Sequence, residues 1–347
     1  MTDNTVYING KFLSQKMSGV QRYASEICKN LDSKIIVAAA ADHQDDAVYH
    51  LDKPLEVIGN KGGILWEQFS LPMALRSKGN PLLISLCNAA PVFYPNKITC
   101  LHDIAFTLYP QYFSKKLVLY YRWLIPKVLK SSRHIITVSE FSKREISAYY
   151  HIDPAHISVV PNASTFSAYG TNPLPRLQER PYFLFVGSLD PRKNLITLLK
   201  AFRQAKREDA DLIVVGAGHA SFASNPAIDQ YRTDPNIIFT GYISDEQLRA
   251  YYGGALALIN PSFYEGFGLP VVEALSMNCP VLASSIDAFK EVGGTDIEYF
   301  NAADVSELSD LIKNFSGKAL SETTSHVQRL TWKTSAALVD KIIQQFN

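Results

Sequence analysis

Residues 257–275 read Ala257-Leu258-Ile259-Asn260-Pro261-Ser262-Phe263-Tyr264-Glu265-Gly266-Phe267-Gly268-Leu269-Pro270-Val271-Val272-Glu273-Ala274-Leu275. A short apolar run, a turn through two glycines and an apolar stretch behind a proline predict strand, loop and helix in that order. Proline fits the first turn of a helix, where its missing N–H is not needed. Gly266 and Gly268 let backbone N–H groups approach a ligand closely, and the helix N-terminus near Pro270 favours an anion. Two carboxylates flank that anion site, Glu265 in the loop and Glu273 on the helix. Carboxylates beside a phosphate are tolerable only where they accept hydrogen bonds, and sugar hydroxyls are suitable donors. A phosphate joined to a polyol is a nucleotide sugar. The plainer alternative is a strand–turn–helix closed by a capping glutamate.

The same alternation runs outward in both directions, the pattern of β-α units feeding parallel sheets. One series of predicted strands comprises Tyr7–Ile8, Ile35–Ala39, Leu82–Ser85, Ile98–Leu101, Ile135–Val138 and Ile157–Val160. A second comprises Phe183–Val186, Leu212–Val215, Ile237–Phe239, Ala257–Ile259 and Val281–Ala283. Between them Pro161–Pro181 keeps no period and is the expected linker. The 347 residues exceed what one core holds, roughly 250–300. The expected division is a first α/β domain over 1–165, a second over 166–330, and a last helix in 331–347, from about Thr334 to Phe346.

A formal net charge of +1 excludes a broad basic surface for nucleic acid. No apolar run is long enough to span a bilayer. The four cysteines are scattered, without metal-ligand spacing, and read as reduced thiols. The opening MTDNTVYING lacks the basic-then-apolar order of a secretory signal, so a cytoplasmic location is expected. The small total hides two unlike halves. Residues 1–165 hold 18 Lys+Arg against 13 Asp+Glu and residues 166–347 hold 16 against 20, so a half at +5 precedes a half at −4.

A second constellation, Phe185-Val186-Gly187-Ser188-Leu189-Asp190-Pro191-Arg192-Lys193-Asn194, ends the first strand of the second series. A glycine turn, two adjacent cations and a helix start again describe an anion site. Arginine offers a planar fork to phosphate oxygens and lysine a point charge. An Arg-Lys pair alone is more often solvated surface; its order and spacing relative to Glu265 and Glu273 give it weight. Gly216-Ala217-Gly218-His219 begins like a dinucleotide fingerprint, but Ser221 stands where a third glycine belongs, so a strand-end turn is expected. Asp209-Ala210-Asp211 has the D-x-D form of a metal–diphosphate ligand. It precedes its strand, whereas ligands of doubly wound sheets gather at carboxyl ends, so no metal is expected. A helix over Ser114–Ser131 mixes Leu, Tyr and Trp with Lys115, Lys116, Arg122, Lys127 and Lys130, and Pro126 is expected to kink it. It reads either as a surface helix with snorkelling lysines or as a basic–aromatic face toward an anionic membrane.

Glu265 and Glu273 match the E-x7-E motif, and Gly187–Asn194 the G-x-x-x-x-R-K-N segment, of the retaining glycosyltransferases of the GT-B fold. The chain resembles the large group, family four, that includes bacterial mannosyl- and glucosyltransferases. The resemblance covers nearly the whole chain and is most specific over 183–283. It implies two Rossmann-like domains facing a central cleft, with the last helix crossing back to the first domain after Trp332. Gly241-Tyr242-Ile243-Ser244 resembles the part that holds the nucleobase by backbone contacts. Ser18-Gly19-Val20-Gln21-Arg22-Tyr23 resembles the glycine-rich loop near the donor diphosphate and the acceptor. Leu101-His102-Asp103 resembles the family's His-Asp, where the histidine sits by the reacting sugar; without that context a histidine after a strand is more often structural. Val138-Ser139-Glu140-Phe141-Ser142-Lys143 resembles the V-S-x-x-S segment.

The resemblance implies a retaining, metal-independent hexosyltransferase with His102, Glu265, Arg192 and Lys193 as catalytic residues. Donor contacts fall on Gly19, Gly187, Ser188, Arg192, Lys193, Tyr242, Ile243, Glu265, Gly266, Phe267, Gly268, Leu269 and Glu273. Glu265 then orients sugar hydroxyls and Glu273 meets the ribose. The expected reaction is mannosyl transfer from GDP-mannose to a glycan or lipid-linked glycan in bacterial surface polysaccharide (O-antigen, lipopolysaccharide) synthesis. The expected place is the cytoplasm or the cytoplasmic face of the inner membrane, with no cofactor beyond the nucleotide sugar and no nucleic-acid partner. The alternatives are the same fold with a UDP- or dTDP-sugar, a non-catalytic member, or a nucleotide-sugar epimerase, whose acid/base set differs from E-x7-E.

Overall fold

A computed structural model describes residues 5–43, 49–166, 177–216, 226–317, 327 and 329–346. The chain divides into two compact units, Met1–Asn162 with Thr331–Asn347, and Ala163–Leu330. In the first, β1 (Val6–Asn9), β2 (Ile35–Ala39), β3 (Leu55–Val57), β4 (Leu83–Ser85), β5 (Lys97–Cys100), β6 (His134–Thr137) and β7 (Ile157–Val159) form one sheet. Its order is β3-β2-β1-β4-β5-β6-β7, every pair parallel. Its helices are α1 (Gly19–Asn30), α2 (Leu71–Ser77), α3 (Ala105–Leu108), α4 (Lys115–Ser131) and α5 (Glu140–Tyr150).

The second unit repeats the plan. Strands β8 (Tyr182–Val186), β9 (Asp211–Val215), β10 (Ile237–Gly241), β11 (Ala257–Asn260), β12 (Val281–Ser284) and β13 (Glu298–Phe300) pair in parallel, in the order β10-β9-β8-β11-β12-β13. Its helices are α6 (Leu195–Ala205), α7 (Pro226–Asp229), α8 (Asp245–Gly254), α9 (Leu269–Ser276), α10 (Asp287–Gly293) and α11 (Val305–Asn314). The last helix, α12 (Trp332–Phe346), packs back on α1 of the first unit. The expected fold class, two Rossmann-like α/β domains with a returning C-terminal helix, is the one observed.

Strand order decides where ligands can go. Each sheet reverses direction once, between β1 and β4 and between β8 and β11. In open α/β sheets the crevice outside the carboxyl ends at such a reversal is the ligand position. Both sequence-predicted loops of the second unit, after β8 and after β11, leave from that point. Asp211 opens β9 at its amino end and pairs with Arg180 at 3.2 Å, while Asp209 pairs with Arg207 at 2.8 Å, so both D-x-D carboxylates are engaged in ion pairs.

Local details differ from expectation at the start of the second unit and at the start of the last helix. The first part of the expected linker is packed: Ala163 and Phe166 are buried, Ser276 Oγ lies 2.8 Å from Ser164 Oγ, and the Phe166 ring meets Tyr252. The second unit thus begins at Ala163, and residues 167–176 lie outside the described residues, as do Ala217, Gly218, His219 and Ser221. The helix α4 is continuous through Pro126, capped where Ser114 Oγ accepts the Leu117 N–H at 3.3 Å. The helix α12 starts at Trp332 itself, whose ring meets Tyr23 edge-on at 6.0 Å. Further along, the Asp340 carboxylate accepts the N–H groups of Asp32 and Ser33 at 2.9 and 3.0 Å, which fixes α12 to the turn after α1.

One buried cation sits in the first sheet. Lys97 in β5 is fully buried, with Nζ donating to the Tyr94 carbonyl at 2.9 Å and to Ser131 Oγ at 2.6 Å. Burial, with no carboxylate paired to it among the described residues, pushes its pKa down to about 7. Between that value and the ordinary lysine range the unfolded chain binds the extra proton, so stability rises with pH from about 7 upward. Urea titrations between pH 7 and 9 should show that rise. Lys97→Met should flatten it and stabilise the chain at pH 7.

Candidate functional site

In the second unit the loop after β8 turns through Gly187 into a single 3-10 turn, Pro191–Lys193. Asp190 caps it by accepting the Arg192 N–H at 2.9 Å. Asn194 then takes a left-handed conformation, φ 57°, which reorients the chain into α6. Asparagine tolerates that conformation better than most residues. Its amide also donates to the carbonyls of Pro261 at 3.0 Å and Ala302 at 2.8 Å. The Arg192 carbonyl accepts the Phe263 N–H at 2.9 Å. The two loops are therefore joined by backbone and amide bonds before any charge is considered.

The charges then meet. Lys193 Nζ lies 2.5 Å from Glu265 Oε1, and Arg192 Nη1 lies 3.8 Å from Glu265 Oε2. Arg192 Nη1 also donates to the Tyr264 carbonyl at 3.3 Å. The Ser262 hydroxyl stands 2.8 Å from both Glu265 Oε1 and Asn260 Oδ1, and donates to one of them at a time. Glu265 is buried. Burial works to raise its pKa, but Lys193 and Arg192 more than offset that, and its carboxyl lies below the usual range. The structure thus gathers Arg192, Lys193 and Glu265 into one cluster, a contact not visible in the sequence.

Gly268 is the N-terminal cap of α9, with φ +106°. A Cβ there would lie 2.7 Å from the ring of Phe289, which is itself buried. Only glycine fits, and Pro270 follows in the first turn. Glu273 is buried on α9 and accepts the Tyr252 hydroxyl of α8 at 2.9 Å. The α8 start carries a capping box between Ser244 and Gln247, which fixes the segment after β10. Tyr242 in that segment is 77% exposed, a large ring left in water beside Ile243. Gly187 and Ser188 leave the carboxyl end of β8 beside these loops.

Gly266 and Phe267 are buried in the loop before Gly268, and Leu269 opens α9. The other predicted residues, Gly19 and His102, belong to the first unit. Gly19 opens α1 directly after its cap Ser18. His102 follows β5, is buried, and meets the α1 ring of Tyr23 edge-on at 4.8 Å. Its Nε2 lies 2.9 Å from the Leu86 carbonyl, so the ring carries its hydrogen there and Nδ1 is left as an acceptor. Burial lowers its pKa and keeps the ring neutral. Ser139 caps α5 by accepting the Ser142 N–H at 2.9 Å, which accounts for the first serine of the V-S-x-x-S segment. A buried carboxylate that the sequence did not single out, Glu67, stands at the β1/β4 reversal. It lies 2.8 Å from Lys11 Nζ and 3.0 Å from Asn9 Nδ2. Among the described residues, no group of three or more His, Cys, Asp or Glu is arranged to hold a metal ion.

Two parallel α/β sheets, each with paired charges at its strand-order reversal, agree with the class of sugar-transferring enzymes of the GT-B fold. The chain belongs to the GT-B glycosyltransferases: residues 17–164 match the family described as Glycosyltransferase Family 4, and residues 171–316 match Glycosyl transferases group 1. It is 28% identical over 281 residues to the O-antigen chain mannosyltransferase RfbU of Salmonella typhimurium, covering 80% of this chain and 78% of that one. It is 32% identical over 209 residues to O-antigen chain mannosyltransferase B of Escherichia coli, covering 57% of this chain and 55% of the relative. In fold it is similar to Anabaena HepE, solved in complex with UDP-glucose, with a TM-score of 0.75 at 18% identity over 98% of this chain and 99% of that one.

Gly268→Ala should be costly, since it adds both a strained φ and a clash with a ring that has no room to move. Urea denaturation should show a loss of about 1–3 kcal/mol.

Proposed function

We propose that the chain transfers a hexosyl unit from a nucleoside diphosphate sugar to a hydroxyl of a glycan or lipid-linked glycan, with retention of configuration. The cluster of Arg192, Lys193 and Glu265 at the β8/β11 reversal carries this proposal. Negative charge develops on the departing diphosphate, and preorganised cations aimed at it lower the barrier most. Arg192 and Lys193 supply those cations, and the α9 N-terminus after Gly268 adds backbone N–H groups. Glu265 holds both cations in place and accepts from the donor's sugar hydroxyls. Glu273 meets the ribose, Gly187 and Ser188 the phosphates, and the backbone at Tyr242 and Ile243 the base. The roles proposed for the first unit are a diphosphate contact at Gly19 and a contact with the reacting sugar at neutral His102. The acceptor attacks from the face the diphosphate leaves, giving up its proton to the leaving phosphate, and no resident metal is required.

The donor is drawn more broadly than GDP-mannose. Two relatives carry mannosyltransferase names, whereas a structure of the same fold was solved with UDP-glucose. A nucleotide sugar with the base left open, UDP and dTDP included, accounts for both. The proposed place of action is the cytoplasmic face of the inner membrane. No helix among the described residues is long and apolar enough to cross a membrane. Trp123 and Leu119 on α4 are exposed, and Lys127 lies over the Trp123 ring at 4.9 Å, in keeping with a face that meets lipid headgroups.

Incubation with GDP-, UDP- and dTDP-hexoses should give nucleoside diphosphate release with at least one donor. Lys193→Ala should lower its kcat by roughly 10²–10³-fold, the scale for losing one transition-state charge stabiliser. No release or transfer with any donor would sink the transferase proposal. Replacing Lys115, Lys116, Lys127 and Lys130 by glutamine should weaken sedimentation with anionic vesicles by about 1 kcal/mol per lysine at the surface. Unchanged sedimentation would leave α4 as plain surface.

A further inference from the structure

Lys193 has two anions to serve. It lies 2.5 Å from Glu265 Oε1, and under the function proposed above it also meets the donor's diphosphate. A lysine drawn toward phosphate gives less of its charge to Glu265, which is only 7% exposed. Arg192 makes up that loss poorly. Its Nη1 stands 3.8 Å from Glu265 Oε2 and 3.3 Å from the Tyr264 carbonyl, and its Nη2 lies 3.5 Å from Asp190. A buried carboxylate deprived of a partner is costly, so another donor has to stay on it when Lys193 turns.

Ser262 is placed to be that donor. Its side chain is fully buried, and its hydroxyl lies 2.8 Å from Glu265 Oε1. Asn260 Oδ1 competes for the same hydrogen at 2.8 Å, and charge decides between them. A hydrogen bond to an ionised acceptor is about twice as strong as one to a neutral acceptor, so the hydroxyl goes to Glu265. Asn260 is not orphaned, because its Oδ1 keeps the Ser262 N–H at 3.4 Å. The backbone around the serine is tied down as well. The Ser262 carbonyl accepts the hydroxyl of Ser284, at the end of β12, at 2.5 Å, and the Pro261 carbonyl accepts the Asn194 amide at 3.0 Å. Ser262 therefore donates from a fixed point. Burial works to raise the Glu265 pKa, and Lys193, Arg192 and Ser262 all work against it. Of those three, the fully buried serine is the one a ligand does not reach.

We propose that Ser262 is a positioning residue that holds Oε1 of Glu265 in place, frees Lys193 to move to the donor's diphosphate, and leaves Oε2 to accept from a sugar hydroxyl. Its part in transfer rests on the function proposed above; its hold on Glu265 does not.

That hold is read on the donor-free full chain by carbon-13 NMR of labelled glutamate carboxyls, with the Glu265 signal assigned by its loss in Glu265→Gln. The groups facing Glu265 are Lys193, Arg192 with its partner Asp190, and Ser262. As the pH is lowered from 7, Glu265 in Ser262→Ala should begin to take up its proton at a higher pH than in the intact chain. Ser262→Thr keeps the hydroxyl and should restore the intact titration. With a nucleotide sugar that supports release, Ser262→Ala should lower kcat/KM about tenfold, the scale of one hydrogen bond to a charged group, and Ser262→Thr should recover most of it. A titration unmoved by Ser262→Ala, or not recovered in a folded Ser262→Thr, overturns the proposal, since a serine that only fills space predicts no change. If circular dichroism shows Ser262→Ala unfolded, Ser262→Cys, of nearly the same size but a weak donor, decides by the same titration. Release from no donor would remove the transferase proposal and leave the hold on Glu265 to stand or fall by the titration.

Discussion

A carboxylate taken out of water must be met by cations or give up its charge, and the second unit is arranged around that requirement at Glu265. Lys193 and Arg192 satisfy it, but they come from a different loop, 72 residues earlier in the chain for Lys193. The two loops have to be brought into register by something other than charge. Asn194 does this through Pro261 and Ala302, and the Arg192 carbonyl does it through Phe263. Removing one partner of such a buried pair leaves the other uncompensated, which costs more than the pair itself contributes. The geometry of the cations is therefore a by-product of housing the acid.

The first unit meets the same requirement with Glu67 and Lys11, at the equivalent reversal of its sheet. In the second unit two cations, Arg192 and Lys193, meet two carboxylates, Glu265 and Asp190, with Asp190 3.5 Å from Arg192. In the first unit one acid and one cation cancel, and the surrounding groups are amides. A parallel sheet offers one place for ligand chemistry, at the carboxyl ends where the strand order turns, and both units place buried ion pairs there. The side chains placed there, not the fold, set what each accepts.

Most of the architecture is legible in the sequence because parallel strands covered on both faces are apolar runs. The strands β3 and β13 escape that test: Leu55-Glu56-Val57 and Glu298-Tyr299-Phe300 are three-residue edge strands without such a run. The loop after β11 is legible because glycine and proline leave a conformational signature, and Gly268 shows why, with a φ and a neighbour that exclude any side chain. The pairing of Glu265 with Lys193 is not legible, since nothing local ties the two positions. Glu67 is less so. It sits between Trp66 and Gln68 with no motif around it, and its partner Lys11 is 56 residues upstream. Long-range electrostatics has no period, so pattern reading cannot find it.

The return of α12 has a consequence for how the molecule comes into being. The second unit is a single contiguous stretch, and everything it needs has been made once Leu330 is added. The first unit is not. Tyr23 waits for Trp332, the turn at Asp32 and Ser33 waits for Asp340, and both partners are translated after the whole of the second unit. On the ribosome, then, the half that begins first is completed last, and the surface of α1 that α12 covers stays open to water for as long as the second unit takes to be synthesised.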